Sequence, residues 1–80
     1  MDSFIGTIQL FPYSYAPKGW MRCEGQLMKI TEYSALYSLL GTRFGGDGTT
    51  TFGLPNMKGK EPVPDVSYCI ATEGIYPVKQ

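Results

Sequence analysis

The chain has 80 residues, 42% hydrophobic and 18% charged, with seven basic residues balancing seven acidic ones and no His at all. That length holds one domain with one core, since a chain of this size buries only a little over roughly 60% of its unfolded surface. Zero net charge leaves no electrostatic footprint for nucleic acid or an anionic membrane, and the lack of His removes the commonest metal ligand together with the commonest general base.

The opening "MDSFIGTIQLF" carries an acid where a secretion signal carries positive charge, and Gly6, Thr7 and Gln9 break its apolar run. Neither a signal peptide nor a membrane span is expected, which places synthesis in the cytoplasm with reduced cysteines. Phe4 to Phe11 alternates, with Ile5, Thr7, Gln9 and Phe11 on one side and Phe4, Gly6, Ile8 and Leu10 on the other, and this predicts a strand. "PYSYAPKG" is loop chemistry. A strand-like pattern resumes from Trp20 to Leu27 and is broken at Gly25, which predicts a short hairpin around "CEGQ".

"ITEYSALYSLLG" predicts the one helix. Thr31 is placed to cap it, Glu32 lies in its first turn, Gly41 ends it in the left-handed conformation, and Tyr33, Leu36, Tyr37 and Leu40 share one face. The following "GGDG" has the glycines of a phosphate cradle but the wrong context. A P-loop needs a strand before it and a helix starting with Lys and Ser or Thr after it, whereas here a helix precedes and the extended "TTTFGLP" follows, so a tight turn is predicted. Val66 to Pro77 alternates again, with Tyr68, Ile70 and Thr72 on one side and Cys69 and Ala71 on the other, and completes the sheet.

Chemistry is harder to assemble. Two Cys cannot by themselves form a zinc site, and no CxxC is present. Cys23 and Cys69 read either as a disulfide between neighbouring strands or as two buried thiols, and the reducing cytosol favours the thiols. Asp2, Glu24, Glu32, Asp47, Glu61, Asp65 and Glu73 are scattered among turns, and Ser34 and Ser38 lack a base. No catalytic, cofactor-binding or metal-binding residue is therefore assigned, and no small-molecule substrate is expected. Trp20 is expected to seal the small core. For Tyr13 and Tyr15 two readings stand, as cover for the core's edge or as a contact surface for a partner protein or a sugar ring.

"PKGWMRCEGQ" followed by "ITEYSALYSLLGTRFGGDGTTTFGLPNMKGK" resembles the phage tail collar domain family, found in short tail fibres of phages and in small bacterial proteins of the microcystin-dependent type. The resemblance covers Ile5 to Lys60, with its elements in family order. It implies scaffold roles for Gly19, Trp20, Cys23, Gly25, Gln26, Gly41, Gly45, Gly46, Gly48, Phe52 and Pro55. Glu24 and Asn56 stand where the family usually has Asp, and Lys58 where it has Arg. "SYCIATEGIYP" resembles the family's closing segment, which normally follows a long variable region. Here Glu61 to Val66 replaces that region, so neither receptor recognition nor the family's His-ligated metal site carries over.

These readings converge on a small α+β fold, one short helix on a short-stranded sheet. They make residues 1–80 a single tail-collar-like domain, with a collar core at 5–60, a shortened connection at 61–66 and a C-terminal strand at 67–77. The expected role is a non-enzymatic structural module of a phage tail, tail fibre or phage-tail-like particle, in the virion tail or an extracellular assembly. Its expected partners are other copies of itself, as a trimer by analogy with tail fibres or as a filament, or fibre proteins. A small adhesin that binds carbohydrate is the alternative.

Overall fold

The computed structural model describes residues 3–78, so that Asp2 and the outermost positions of the chain lie outside it. Its elements in chain order are β1 (Ile8–Phe11), β2 (Trp20–Arg22), β3 (Leu27–Lys29), α1 (Ser34–Leu40), β4 (Thr51–Gly53) and β5 (Ser67–Ala71). The fold is α+β, one short helix with two antiparallel sheets, one ordered β1-β5-β2 and the other β3-β4. The last strand is thus the central one of its sheet, inserted between the first two.

Alternation along β5 sorts its sheet into two faces. In register, Ile8 and Met21 flank Ile70, whereas Gln9 and Arg22 flank Cys69, with Phe11 opposite Ser67 and Trp20 opposite Ala71. The first face carries the core: Ile70 joins Ile5, Cys23, Met28, Leu36, Phe52 and Leu54, with Met21, Tyr68, Tyr33 just before the helix and the helix residues Tyr37 and Leu40 packed around them. Tyr37 lies against Phe52 with ring centroids 5.5 Å apart.

The first strand is shorter than its alternation predicts. Thr7 donates its N–H to the Phe4 carbonyl at 3.1 Å, closing a tight turn whose third residue, Gly6, has φ +90°. Gly6 N–H donates to the Ala71 carbonyl and Ala71 N–H to the Thr7 carbonyl, each at 2.9 Å, so two residues face one. This is a bulge of the glycine type, which slips the alternation by one residue. Ile5 consequently enters the core with Ile70 instead of lying on the side of Gln9 and Phe11.

The hairpin predicted at "CEGQ" does not form, because β2 pairs with β5 and β3 with β4. Gln26 closes the turn instead: its Oε1 accepts the Glu24 N–H at 3.0 Å and its Nε2 donates to the Arg22 carbonyl at 2.7 Å. The turn is clamped from outside by the segment after β4. Leu54 N–H donates to the Gln26 carbonyl, Gly25 N–H to the Pro55 carbonyl and Met57 N–H to the Cys23 carbonyl, at 3.1, 3.2 and 2.8 Å.

The helix begins at Ser34, later than a Thr31 cap requires. Ile30 N–H donates to the Thr50 carbonyl at 3.0 Å, extending strand pairing through Ile30, and the Lys29 carbonyl then accepts the Glu32 and Tyr33 N–H groups in a turn. Neither a Thr31 cap nor an acid in the first turn remains. The far end falls at Gly41 as predicted, with its N–H donating to the Tyr37 carbonyl at 2.7 Å, but its backbone, φ +59° and ψ −144°, is not the left-handed helical one and is a conformation only glycine adopts readily.

"GGDG" forms a tight turn held by Asp47. Its Oδ1 accepts the N–H groups of Thr49, Thr50 and Thr51 at 2.8, 2.8 and 2.9 Å, and its Oδ2 accepts the Thr50 hydroxyl at 2.9 Å. Gly46 sits with φ +91° directly against the Phe52 backbone, where a Cβ has no room. The C-terminal strand ends at Ala71 and does not reach Pro77. Thr72 N–H donates to the Gly19 carbonyl at 2.9 Å, and the chain turns at Gly74 to form a parallel bridge between Phe4 and Ile75.

Candidate functional site

The second face of the β1-β5-β2 sheet carries a row of four aromatic rings. Phe11 leaves β1 on this face, and Tyr13 and Tyr15 continue its two-residue spacing through the loop. Phe11 and Tyr13 stack with centroids 5.6 Å apart, and Tyr13 and Tyr15 stack at 4.5 Å. Trp20, from β2, meets Phe11 edge-on at 4.9 Å.

Phe11 and Trp20 belong to the two strands flanking β5, so their rings meet above it. The side chains beneath are small, which lets the rings close over them: Ser67, Cys69 and Ala71 are only 2%, 0% and 0% exposed. Ser67 anchors the loop by donating its hydroxyl to the Tyr13 carbonyl at 2.8 Å, and its Oγ lies 3.6 Å from Cys69 Sγ. Tyr15 ends the row, 64% exposed.

Several predicted residues find different places from those expected. Trp20 is half-buried on the aromatic face and does not seal the core. Cys23 and Cys69 are both buried and free. Cys23 donates its N–H to the Tyr68 carbonyl at 2.9 Å and lies in the core cluster, whereas Cys69 lies with Ser67 under the aromatic rings. Burial, with Cys69 nearby, pushes the Cys23 thiol up to about 11, which favours the thiol form at neutral pH.

Tyr13 and Tyr15 do lie together, and Phe11 joins them, a member of the row that the sequence reading missed. Its signal was the unbroken spacing Phe11, Tyr13, Tyr15, which a strand ending at Pro12 hides. Gly19, Gly25, Gly45 and Gly48 all occupy turns with positive φ, and Phe52 and Pro55 are buried.

The remaining polar groups serve the fold. The Ser38 hydroxyl shares a hydrogen bond of 2.6 Å with the Tyr76 hydroxyl and donates to the Ala35 carbonyl. The Asp47 carboxyl is held well below the usual carboxylate range by the N–H groups of Thr51, Thr50 and Thr49 and by the Thr50 hydroxyl. Among the described residues no three Cys, Asp or Glu side chains converge as a metal site would need.

The stretch of sequence that builds the glycine-rich turn on Phe52 and the Trp-Cys-Gln segment clamped by Leu54 to Met57 matches a known family. The phage tail collar domain matches residues 6–62. The chain belongs to the phage tail collar domain family. Protein RhiB of Rhizobium leguminosarum bv. viciae is similar to it, 34% identical over 58 residues, which are 68% of this chain and 26% of that protein. The collar chain thus spans about a quarter of the length of that curated relative.

The family takes its description from the collar of phage tails. No helix among the described residues is long and apolar enough to cross a membrane. Glu24 and Asn56 face each other across a β-bridge, and Asn56 Oδ1 accepts the Lys58 N–H at 3.1 Å.

Proposed function

We propose that this collar domain is a non-enzymatic assembly module of a phage tail, tail fibre or phage-tail-like particle, which works by binding other copies of itself or by docking to a fibre protein. The aromatic row carries the reading. Stacked rings are rigid and give up little conformational freedom on binding, and Tyr and Trp are the residues most favoured where an apolar surface must also tolerate water. The chain's charge balance adds nothing that would hold copies apart.

The test is the mass of the purified protein in solution, by light scattering, with negative-stain images of the same sample. A particle larger than one chain is expected. Tyr13→Lys and Tyr15→Lys, made one at a time, should each weaken association or docking while leaving the melting curve in place. A stable monomer at high concentration that also ignores fibre proteins overturns the reading.

One observation favours a second reading. Tyr15 offers its outer side to solvent at the end of the row, as a sugar-stacking platform would. That adhesin reading requires glycan binding by the monomer, lost in Tyr15→Lys.

A further inference from the structure

We propose that two copies of this chain pair antiparallel through the outer edge of β1, about a two-fold axis passing between their Gln9 residues. The proposal rests on the assembly reading above and names the edge that assembly uses.

A sheet edge is a row of N–H and C=O groups, so what matters is which edges are already occupied. Ala71 donates to the Thr7 carbonyl and Tyr68 accepts from Cys23, each at 2.9 Å. Backbone groups alternate along an antiparallel strand, so Ser67, Cys69 and Ala71 bond to β1, and Tyr68 and Ile70 bond to β2. Gln9 and Phe11, opposite Cys69 and Ser67, therefore turn their N–H and C=O groups inward. Ile8 and Leu10 turn theirs outward, and among the described residues those groups meet no other partner.

The other edges are closed in whole or in part. On β2, Trp20 N–H donates to the Pro17 carbonyl at 3.0 Å and the Arg22 carbonyl accepts the Gln26 amide at 2.7 Å. On β4, Gly53 N–H donates to the Gly45 carbonyl at 2.9 Å and the Thr51 carbonyl accepts the Gly48 N–H at 3.0 Å. On β3, the Lys29 carbonyl is taken by Glu32 and Tyr33, and the Lys29 side chain sets a charge on the edge. Among the described residues β1 is the edge whose outward groups all lack a partner; it carries no charge and no Pro, and its Ile8 is 41% exposed.

The β1 sequence complements itself. Ile8 and Leu10 are two apart, so turning a second strand about Gln9 sets Ile8 against Leu10 of the second copy and Leu10 against its Ile8, which satisfies all four outward groups on each strand. Only Gln9 faces its own kind, amide to amide, and no like charges meet. The axis runs perpendicular to the sheet, so both aromatic rows come to lie on the same face of a continuous six-stranded sheet. A four-residue edge buries less than the roughly 1,200 Å² of the smaller stable interfaces, so the pairing depends on concentration.

Amide hydrogen exchange and a charge exchange at Gln9 test this together. The Ile8 and Leu10 amides should slow as concentration rises, while those of Gln9 and Phe11 are slow throughout. Gln9 is exposed, so Gln9→Lys and Gln9→Glu should fold; each alone should weaken dimerisation about tenfold or more in sedimentation, because two like charges then face each other. An equimolar mixture of the two should restore the dimer. Association that persists in both variants, or that leaves Ile8 and Leu10 exchange unchanged, overturns the β1 pairing and leaves the assembly reading standing. A wild-type chain that stays monomeric at every concentration overturns the pairing and self-association together, and leaves only docking to a fibre protein.

Discussion

The two faces of the three-stranded sheet are made by the same strands and are covered in different ways. On one, Ile70 and Met21 meet side chains from the helix and both strands of the smaller sheet, and Leu36, Phe52 and Leu54 are at most 1% exposed. On the other, Ser67, Cys69 and Ala71 are equally inaccessible, yet their cover is a single layer of rings drawn from β1, its loop and β2. Equal burial thus hides unequal depth. Stability is concentrated where contacts come from every side, and the ring layer is packed on its inner side only.

The largest expected effect tests the deep face. Phe52→Ala or Leu36→Ala removes about 3 to 5 kcal/mol of packing, which is most of what a domain this small holds. Loss of the cooperative urea transition is expected for both. Trp20→Ala removes one edge-to-face contact and half a ring's burial, so a cost of about 2 kcal/mol is expected, with a lower denaturation midpoint but a folded protein. In that variant a thiol reagent should label Cys69, whose cover has gone, and leave Cys23 untouched under native conditions. Unfolding of Trp20→Ala, or equal labelling of the two thiols, would erase the distinction between the faces.

Asp47 lies outside both faces and offers a smaller effect with a defined sign. Its folded-state carboxyl is held below the unfolded value, so its contribution is fully present above about pH 4 and is lost as pH falls toward the folded value. Melting temperature should drop with acidification below about pH 4, and Asp47→Ala should be less stable at pH 7 and less steep in that acid limb. The smallest change belongs to the end of the row: Tyr15→Ala should alter stability by no more than about 0.5 kcal/mol while weakening association. A larger loss of stability would make Tyr15 part of the fold's own packing.

What could be read from the sequence was what local chemistry decides. Gly41 stops the helix, Asp47 among glycines makes a turn, and the alternation of Tyr68 to Ala71 sorts the faces of β5 correctly, because each depends on near neighbours. The failures are non-local. Trp20 to Leu27 has the pattern of a hairpin, yet both halves find better partners far along the chain, and the Gln26 amide supplies the turn's bonds from a side chain. Gly6 looks like one more residue in an alternating run and in fact shifts the parity of everything before it. Which face Trp20 takes follows from its register with Ala71, which no local pattern reveals. The same holds for the candidate site: the two tyrosines could be singled out from composition, but the open edge at Ile8 and Leu10 exists only because the final strand inserts between β1 and β2.

The bridge between Phe4 and Ile75 bears on how the domain would carry load. Ser3 to Ile5 and the segment at Ile75 run in the same direction, joined by hydrogen bonds from Ile5 N–H to the Ile75 carbonyl and from Ile75 N–H to the Ser3 carbonyl, each at 2.9 Å. In parallel neighbours the chain leading into one strand and the chain leading out of the other leave at opposite ends. Tension drawn between them slides the strands past each other and strains both bonds at once, instead of peeling them open in turn. The Phe4–Ile75 bridge is therefore a shear clamp, and a stretching force along the polypeptide meets it before it reaches the core.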